Sequence, residues 1–286
     1  MKINAYAKIN LGLDVLARRA DGYHEVRMIM QTIGICDELD IIKTDEPGIS
    51  ITSNREDLPV NEDNLIYKAA ALIIDEYDIK GGIKVSLTKN IPVAAGLAGG
   101  STDAATVLKA VNELYGLGLS QDDLMKLGVR IGADVPYCIM GGTALSCGIG
   151  EILTPLCPCP KCRLIIAKPD ISISTAKVYK ALKLENVKHP DIDAIMRGIE
   201  NGDIKEVADN MGNVLETVTV AGNPVINDIK KIMKDNGSIG ALMSGSGPTV
   251  FGLFGSGEDT DAAFECLKQS GLAPELFITE IYNEHR

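Results

Sequence analysis

The chain has 286 residues, of which 45% are hydrophobic and 23% charged. This length suits two domains of ordinary size, and the composition is typical of a folded globular protein and excludes a disordered one. Lys and Arg number 28 against 39 Asp and Glu, which gives a formal net charge of −11. So acidic a chain is a poor candidate for binding nucleic acid, which requires a basic face.

Membrane partners and secretion are not expected either. No apolar run reaches the roughly 18 residues that a membrane span needs, and the N-terminal residues alternate instead of forming the apolar stretch of a signal peptide. Seven cysteines, an odd number in a long chain, are typical of reduced thiols and not of a disulfide framework. We therefore expect a cytoplasmic protein.

The first fifteen residues alternate between apolar and polar side chains, which predicts a strand with one buried face. Lys8 and Asn10 lie two residues apart and should project from the same face of that strand. Further strands are predicted at 26–35, 38–43 and 83–87.

Helices with recognisable end signals follow in the first half of the chain. Asn64 precedes apolar residues at helical spacing, as an N-cap does. A second apolar face runs from 104 to 114 and ends at Gly116, and a third helix is predicted from Ser120, as the cap, to Leu127.

The Pro- and Cys-rich stretch 154–161 is the best domain boundary, which predicts domains at 1–155 and 156–286. The second domain mixes strands and helices, with two strands joined by a tight glycine-rich turn, and so is expected to be α+β. Its predicted strands are 164–167, 239–243, 249–254 and 276–282, and its predicted helices lie near 175–184, 191–200, 203–216, 224–235 and 260–269.

Gly96, Gly99 and Gly100 stand just before the second helix. Such a cluster indicates a backbone conformation or a close approach that side chains would block. A glycine-rich turn that leads into a helix N-terminus presents free amides and the positive end of the helix dipole, which suits a phosphate. A tight turn with a serine cap explains the pattern too. No Gly-Lys dipeptide and no GxGxxG before a helix is present, so a Walker loop and a dinucleotide fingerprint are excluded.

Three segments in order resemble the motifs of the GHMP kinases, the galactose, homoserine, mevalonate and phosphomevalonate kinases. PVAAGLAGGSTDAA at 92–105 is similar to their central ATP-binding motif, AKINLGL at 7–13 to the N-terminal motif, and MSGSGPT at 243–249 to the C-terminal motif. Ala95 and Ala98 stand where glycine is common in the family. Three ordered motifs over nearly the whole chain form a specific signal, although each alone would be weak.

The start AKINLGLDV, the segment RRADGYHEV and GADVPYC at 132–138 resemble the branch of this family that phosphorylates a cytidine diphosphate-linked sugar alcohol in non-mevalonate isoprenoid biosynthesis. The Pro-Gly-Lys/Arg start of the sugar and mevalonate kinases is absent. The resemblance implies an α+β, two-domain GHMP kinase fold. Its N-terminal ATP-binding domain, 1–155, would be like ribosomal protein S5 domain 2, and its C-terminal domain, 156–286, would be ferredoxin-like.

The resemblance also implies transfer of the ATP γ-phosphoryl group to the 2-hydroxyl of a methylerythritol moiety. Asp134 matches the general base, and Lys8 matches the lysine that orients the base and stabilises the alkoxide. From the residues alone, Asp134 is equally a cap for the helix entered at Pro136, and Lys8 an exposed strand lysine. ATP is expected as its Mg²⁺ complex, with no protein metal ligand assigned. The implied ATP-binding residues are Asn64, Leu65, Lys89, Pro92, Val93, Ala94, Ala95, Gly96, Leu97, Ala98, Gly99, Gly100, Ser101 and Thr102.

The acceptor-binding residues are implied in the same way. Tyr23 would stack on the cytosine, His24 would hydrogen-bond it, and Tyr179 would lie on the opposite ring face. Asn10 and Thr175 would bind the polyol or the diphosphate. Without the resemblance, the two tyrosines are ordinary turn and core-edge residues.

Two further readings stay open at this point. The chain could be a related GHMP kinase with another alcohol acceptor, or a non-catalytic nucleotide-binding protein of the same fold, although the presence of both Lys8 and Asp134 argues against the latter. Cys157, Cys159 and Cys162 could bind a soft metal. No fourth ligand is apparent nearby, so we expect an interdomain loop without a metal.

Overall fold

The computed structural model describes residues 1–255 and 257–283, apart from the side chains of Asn186 and Glu258. The chain forms two compact units, each assembled from separate segments. The first unit contains Met1–Ala7, Ile35–Val93 and Ala98–Gly141, and the second contains Lys8–Gly34, Ala94–Leu97 and the chain from Gly142 onward. Two long strands, β1 (Lys2–Arg18) and β2 (His24–Thr44), have residues in both units.

In the first unit, helices pack on a sheet made by the end of β2 with two further strands. β2 pairs antiparallel with β4, and β4 pairs parallel with β3. The alternating strand residues and the apolar faces of the helices form one buried cluster, which includes Leu39, Val85, Ile73 and Leu108. The elements that follow β2 here are β3 (Ile49–Ser53), α1 (Leu65–Glu76), β4 (Gly82–Thr88), α2 (Gly99–Tyr115), α3 (Gln121–Val129) and α4 (Val135–Met140).

The second unit contains the remaining elements. They are β5 (Thr143–Cys147), β6 (Ile152–Pro155), β7 (Arg163–Lys168), α5 (Thr175–Ala181), a 3-10 helix at Leu184–Asn186, α6 (Ile192–Glu200), α7 (Ile204–Asn210), β8 (Gly212–Asn213), α8 (Glu216–Gly222), α9 (Val225–Asp235), β9 (Ser238–Met243), β10 (Val250–Phe254), α10 (Gly257–Ser270) and β11 (Glu275–Glu280). Here the first half of β2 pairs with β5, β5 pairs with β6, and β1 pairs in parallel with β8.

An antiparallel sheet in the order β11-β7-β10-β9 forms the centre of this unit. Taken along the chain, its strands and the helices between them follow the β-α-β-β-α-β order of a ferredoxin-like fold. Helices α9 and α10 pack against the sheet. Residues 164–167 of β7 are all buried, which explains why this strand is a continuous apolar run and does not alternate. The predicted ferredoxin-like C-terminal fold is confirmed.

Several predicted element ends are confirmed by their hydrogen bonds. The side chain of Asn64 accepts from the amide of Ile66 at 2.9 Å and caps α1. Gly116 ends α2 in the left-handed conformation, with φ 64°. Ser120 and Asp123 form a reciprocal capping box at the start of α3. Local chemistry therefore decides these ends.

Other predictions of local structure were wrong in part. Residues 26–35 and 38–43 are strand, as predicted, but the break predicted between them is absent and both ranges belong to β2. The helix predicted at 203–216 ends with α7, because Gly212 and Asn213 leave the helix and form β8 beside β1. β3, β5 and β6 were not predicted, since each is short and carries polar residues within its run.

The predicted domains, 1–155 and 156–286, divide the chain differently from the compact units and remain a prediction; residues 284–286 lie outside the described residues. Within the described part of the chain, no helix combines the length and apolarity that a membrane crossing requires.

Candidate active site

β1 carries the first group of predicted site residues in the second unit. Lys8 is buried, and its ammonium donates to the side-chain oxygen of Asn10 at 2.9 Å. The prediction that these two residues share one strand face is confirmed, and the interpretation of Lys8 as an exposed lysine is wrong. Asn10 is fully buried, and its side-chain nitrogen lies 3.6 Å from the sulfur of Met28.

The first half of the glycine-rich segment, Ala94–Leu97, contacts both other motifs within this unit. The amide of Lys8 donates to the carbonyl of Leu97 at 3.1 Å. The hydroxyl of Ser244 donates to the carbonyl of Gly96 at 3.0 Å. Gly96 has φ +76°, and a Cβ there would lie 2.3 Å from the Ser244 carbonyl oxygen. Only glycine meets both conditions without displacing the backbone. The three motif segments therefore meet in the second unit.

Residues 244–247 lie between β9 and β10 and carry most of the C-terminal motif. We call them the 244–247 turn. Gly245 has φ +57°, and a Cβ there would lie 3.3 Å from the Gly96 carbonyl and 3.7 Å from the side-chain oxygen of Asn10. The predicted acceptor-binding residue Thr175, at the start of α5, places its hydroxyl 2.8 Å from that of Ser246. Asn10 and Thr175 are thus both next to this turn.

The second half of the glycine-rich segment, Ala98–Thr102, lies in the first unit and forms the start of α2. Ala98 occupies the N-cap position in the left-handed conformation, with φ 57° and without a side-chain cap. A Cβ at Gly99 would lie 3.0 Å from the amine of Lys89, and one at Gly100 would lie 3.3 Å from Leu65. The predicted adenine-side residues Leu65 and Lys89 therefore lie against the first turn of α2, and Asn64 caps the neighbouring α1.

A buried charge cluster supports this helix start. Lys89 donates to the carboxylates of Asp37 at 2.6 Å and Asp103 at 2.5 Å. The other oxygen of Asp37 accepts the amides of Asn90, at 2.6 Å, and Ile91, at 2.8 Å. The second oxygen of Asp103 is buried without a hydrogen-bond partner. Burial, more than the neighbouring charge of Asp37, raises the pKa of Asp103 against the lowering effect of Lys89.

Sequence reasoning missed Asp37 and Asp103. A signal was present for Asp37, because it interrupts the apolar run of β2 between the two shorter strands predicted there. Lys89 was predicted on the adenine side of an ATP site. Its ammonium is bound by two carboxylates of the first unit, and a nucleotide contact remains a prediction.

Asp134 belongs to the first unit and stands at the N-cap position of α4, followed by Pro136 in the first turn. Its carboxylate makes no capping hydrogen bond. The residue is half-buried. The interpretation of its side chain as a helix cap is therefore wrong, and its carboxylate is not used to begin α4.

The predicted base-binding residues lie at the start of β2 and on α5, within the second unit. Tyr23 is 59% exposed, in a turn where its amide donates to Asp21 at 3.0 Å. The rings of His24 and Tyr179 contact each other, with centroids 5.2 Å apart and planes tilted by 44°. Burial, and then the charge of Arg18, lowers the pKa of His24. At neutral pH the imidazole is therefore neutral and can offer both a donor and an acceptor to a base edge.

The cysteine-rich loop is packed against neighbouring residues of the protein. Cys159 and Cys162 are buried and Cys157 is exposed. The Cys159 amide donates to Thr143, and its carbonyl accepts from Asn283. Burial raises the pKa of both buried thiols, which makes them poor thiolate ligands and nucleophiles. In the described part of the chain, no group of three or more metal-ligating side chains comes together.

Comparison with known proteins places this geometry in a family. Residues 64–142 match the model for the GHMP kinases N terminal domain, and residues 195–272 match the model for the GHMP kinases C terminal. The chain belongs to the GHMP kinase family. The fold class and the resemblance drawn from the three motifs are thereby confirmed. The predicted boundary at residue 155 falls between the two matched regions.

Relatives cover nearly the full chain. A protein of Lachnospira eligens named 4-diphosphocytidyl-2-C-methyl-D-erythritol kinase is 52% identical over 99% of this chain and 98% of its own. One of that name from Caldicellulosiruptor saccharolyticus is 50% identical over 98% and 95%. A crystal structure of 4-(cytidine 5'-diphospho)-2C-methyl-D-erythritol kinase has a TM-score of 0.85 and 32% identity, covering 99% of this chain and all of that one.

Proposed function

We propose that this chain is an ATP-dependent kinase that phosphorylates the 2-hydroxyl of 4-diphosphocytidyl-2-C-methyl-D-erythritol in non-mevalonate isoprenoid biosynthesis. The observation that carries the proposal is the meeting of three motif segments in the second unit, through the Lys8–Leu97 and Ser244–Gly96 hydrogen bonds. The names of relatives that are about half identical over nearly the full chain support this acceptor among those of the family.

ATP binds along the glycine-rich segment, with its phosphates at the amides of residues 94–102. The 17-residue helix α2 begins there and adds the positive end of its dipole. ATP enters as its Mg²⁺ complex, because the cation neutralises phosphate charge that this acidic chain would otherwise repel. In this proposal the hydroxyl of Ser101, half-buried in the first turn of α2, binds a phosphate oxygen, and the buried Thr102 beside it contributes through its backbone amide.

Proton transfer is assigned to Asp134, whose carboxylate accepts the proton of the acceptor hydroxyl as the γ-phosphoryl group is transferred. Lys8 supplies a fixed positive charge that favours the developing alkoxide, and Asn10 restricts the position of its ammonium. General-base assistance contributes about 10²–10⁴-fold, whereas alignment of two bound reactants removes roughly 7–11 kcal/mol of barrier. Positioning therefore dominates, as it does in phosphoryl transfer generally.

The cytidine end of the acceptor binds at Tyr23, His24 and Tyr179. Stacking on an aromatic ring contributes about 1–3 kcal/mol per base, and neutral His24 can hydrogen-bond the cytosine edge. Asn10 and Thr175, both next to the 244–247 turn, bind the polyol or the diphosphate. The location is cytoplasmic, as the odd number of cysteines, all unpaired, supports.

An acceptor panel tests the proposal. Purified protein is incubated with MgATP and, in separate reactions, the cytidyl-linked acceptor, mevalonate, homoserine or galactose. We expect phosphorylation of the cytidyl-linked acceptor alone, with competitive inhibition by CDP. Transfer to another acceptor without inhibition by CDP would assign the chain to a different GHMP kinase activity. ATP binding without any transfer would leave a non-catalytic nucleotide-binding protein.

Asp134→Asn tests the assigned chemistry. We expect kcat to fall about 10²–10⁴-fold, while the Kd for ATP, measured by calorimetry, stays near that of the wild type. Asp203→Asn is the matched control, because Asp203 is also an N-cap aspartate, at α7, and asparagine can replace it as a cap. Wild-type kcat in Asp134→Asn would remove Asp134 from the mechanism.

A further inference from the structure

Asn213 connects two motif strands of the second unit, although it lies in none of the three motif segments. Its side-chain nitrogen donates to the carbonyls of Met243 at 2.8 Å and Gly245 at 2.7 Å. Its side-chain oxygen accepts from the amide of Leu215 at 3.0 Å. The residue is 7% exposed, and both of its amide hydrogens are used. No other side chain of similar size offers this combination of two donors and one acceptor.

The backbone around Asn213 is fixed as firmly as its side chain. β8 pairs in parallel with β1, with Gly212 opposite Gly12 and Asn213 opposite Leu13. The amide of Val214 then donates to the carbonyl of Leu13 at 3.0 Å. Asn213 therefore connects the strand that carries Lys8 and Asn10 to the turn that contains the C-terminal motif.

The 244–247 turn is held at several points, and Asn213 binds the carbonyls on both sides of Ser244. Glu216 accepts the amide of Met243 at 2.8 Å, and the Thr219 hydroxyl donates to the carbonyl of Ser246 at 3.1 Å. The orientation that results lets Ser244 bond to Gly96 and brings Gly245 against Asn10. A shift of this turn would move contacts of the ATP segment and of the acceptor side together.

We propose that Asn213 is a positioning residue for the phosphoryl transfer: its amide group holds the 244–247 turn in the position that fixes Gly96 and Asn10. The proposal rests on the proposed function and deepens it. The side-chain nitrogen and oxygen of Asn213 bond to backbone groups of the protein. The residue acts through the turn, so its loss changes how both substrates are held and not only how much protein is folded.

Asn213→Asp is the main test, because it keeps the shape of the side chain and the bond to Leu215. It removes both donated hydrogen bonds and places a carboxylate against two carbonyl oxygens. We expect kcat/KM to fall on the order of 100-fold, with the KM for ATP and the KM for the cytidyl-linked acceptor both raised. A merely structural role would lower apparent kcat in proportion to the folded fraction and leave both KM values unchanged.

A control and a second variant complete the test. Asn112 also binds a backbone carbonyl and an amide, both of Leu119, and lies in the first unit outside the motif segments. Asn112→Asp should leave both KM values at wild type. If Asn213→Asp does not fold, Asn213→Ser decides, since the serine hydroxyl can still accept from Leu215 but can donate to only one carbonyl.

The outcomes separate the positioning role from the proposed function. Raised KM values for both substrates in Asn213→Asp or Asn213→Ser, with melting temperature and folded fraction measured on the same samples, support the positioning role. Wild-type KM values in the folded variants overturn it, even if kcat falls. A wild-type protein that transfers no phosphoryl group to the cytidyl-linked acceptor overturns the proposed function instead.

Discussion

The two halves of the glycine-rich segment are held by different kinds of interaction. In the second unit, Ala94–Leu97 is held by neutral hydrogen bonds to the Lys8 amide and the Ser244 hydroxyl, together with the close approach at Gly96. In the first unit, the start of α2 is supported by the buried ionisable groups of Lys89, Asp37 and Asp103. The position of the first half thus depends on steric fit, and the position of the second half depends on the ionisation of buried side chains.

This difference has a physical consequence. Neutral hydrogen bonds between backbone and hydroxyl groups keep their geometry over a wide pH range. A buried cluster with two carboxylates and one ammonium changes its net charge when one proton binds, and burial makes that change energetically large. Substitutions in the first half should therefore change stability through steric fit, whereas substitution of a charged residue that supports the second half should change how stability depends on pH.

Gly96→Ala and Gly100→Ala form the comparison with the largest expected effect. Alanine at Gly96 meets the Ser244 carbonyl at 2.3 Å and a left-handed φ, so we expect a loss of about 2–5 kcal/mol in the free energy of unfolding. Alanine at Gly100 meets only the tip of Leu65 at 3.3 Å, inside a helix. It should leave the stability unchanged or raise it by about 0.5–1 kcal/mol.

The two variants also distinguish a glycine required by the backbone from a glycine that leaves space for a ligand. Urea unfolding measures stability, and initial rates give the KM for ATP. A raised KM in the stable Gly100→Ala variant would show that the space at Gly100 serves a ligand. Equal stability losses in both variants would contradict the steric account of Gly96.

Asp103→Asn tests the charged half of the segment. Because the pKa of Asp103 is raised in the folded state, the folded protein holds a proton that the unfolded chain releases above about pH 3.9. The stability of the wild type should therefore fall, relative to the variant, as the pH rises from there towards the raised pKa, by at most about 1.4 kcal/mol per pH unit.

Urea unfolding at several pH values between 4.5 and 7.5, ~0.5 unit apart, measures this difference for both proteins. Asp75→Asn, at an exposed position on α1 in the same unit, is the control. Parallel stability curves for wild type and Asp103→Asn would show that Asp103 binds no extra proton in the folded state.

Ala94→Gly and Ala98→Gly have the smallest expected effect and compare the two halves directly. Both alanines adopt left-handed backbone angles, with φ 52° and 57°. A left-handed conformation costs an L-residue about 1–2 kcal/mol, and glycine loses about 0.5–1 kcal/mol more on folding. We expect each variant to gain up to about 1 kcal/mol in the free energy of unfolding. A loss at either position would show that the methyl group packs there to advantage.

Much of the fold could be predicted because its signals are local. Each of these signals lies within a few adjacent residues. They are the alternation in β1, the Asn64 cap, the Ser120–Asp123 capping box and the end of α2 at Gly116. At Ala98, by contrast, the structure explains a feature of the sequence. The family resemblance implies a glycine at this position, and the left-handed φ of Ala98 is a physical reason for one.

The missed features depend on contacts between distant residues. Asp37 and Asp103 are 66 positions apart, and both bind Lys89. β8 is two residues long and forms because β1 is there to pair with it. The Gly212-Asn213 dipeptide did signal a break in the helix predicted at 203–216, since both residues are poor helix formers. What Asn213 binds could be learned only from the folded chain.

The identity of the product tests the central claim most directly. Phosphorus NMR of the reaction of wild-type protein with MgATP and the cytidyl-linked acceptor should show one new phosphomonoester. Its phosphorus should couple to carbon 2 of the methylerythritol moiety, and it should form in equal amount with ADP. Phosphorylation at another hydroxyl, or ADP and inorganic phosphate without a phosphorylated acceptor, would contradict the assigned reaction.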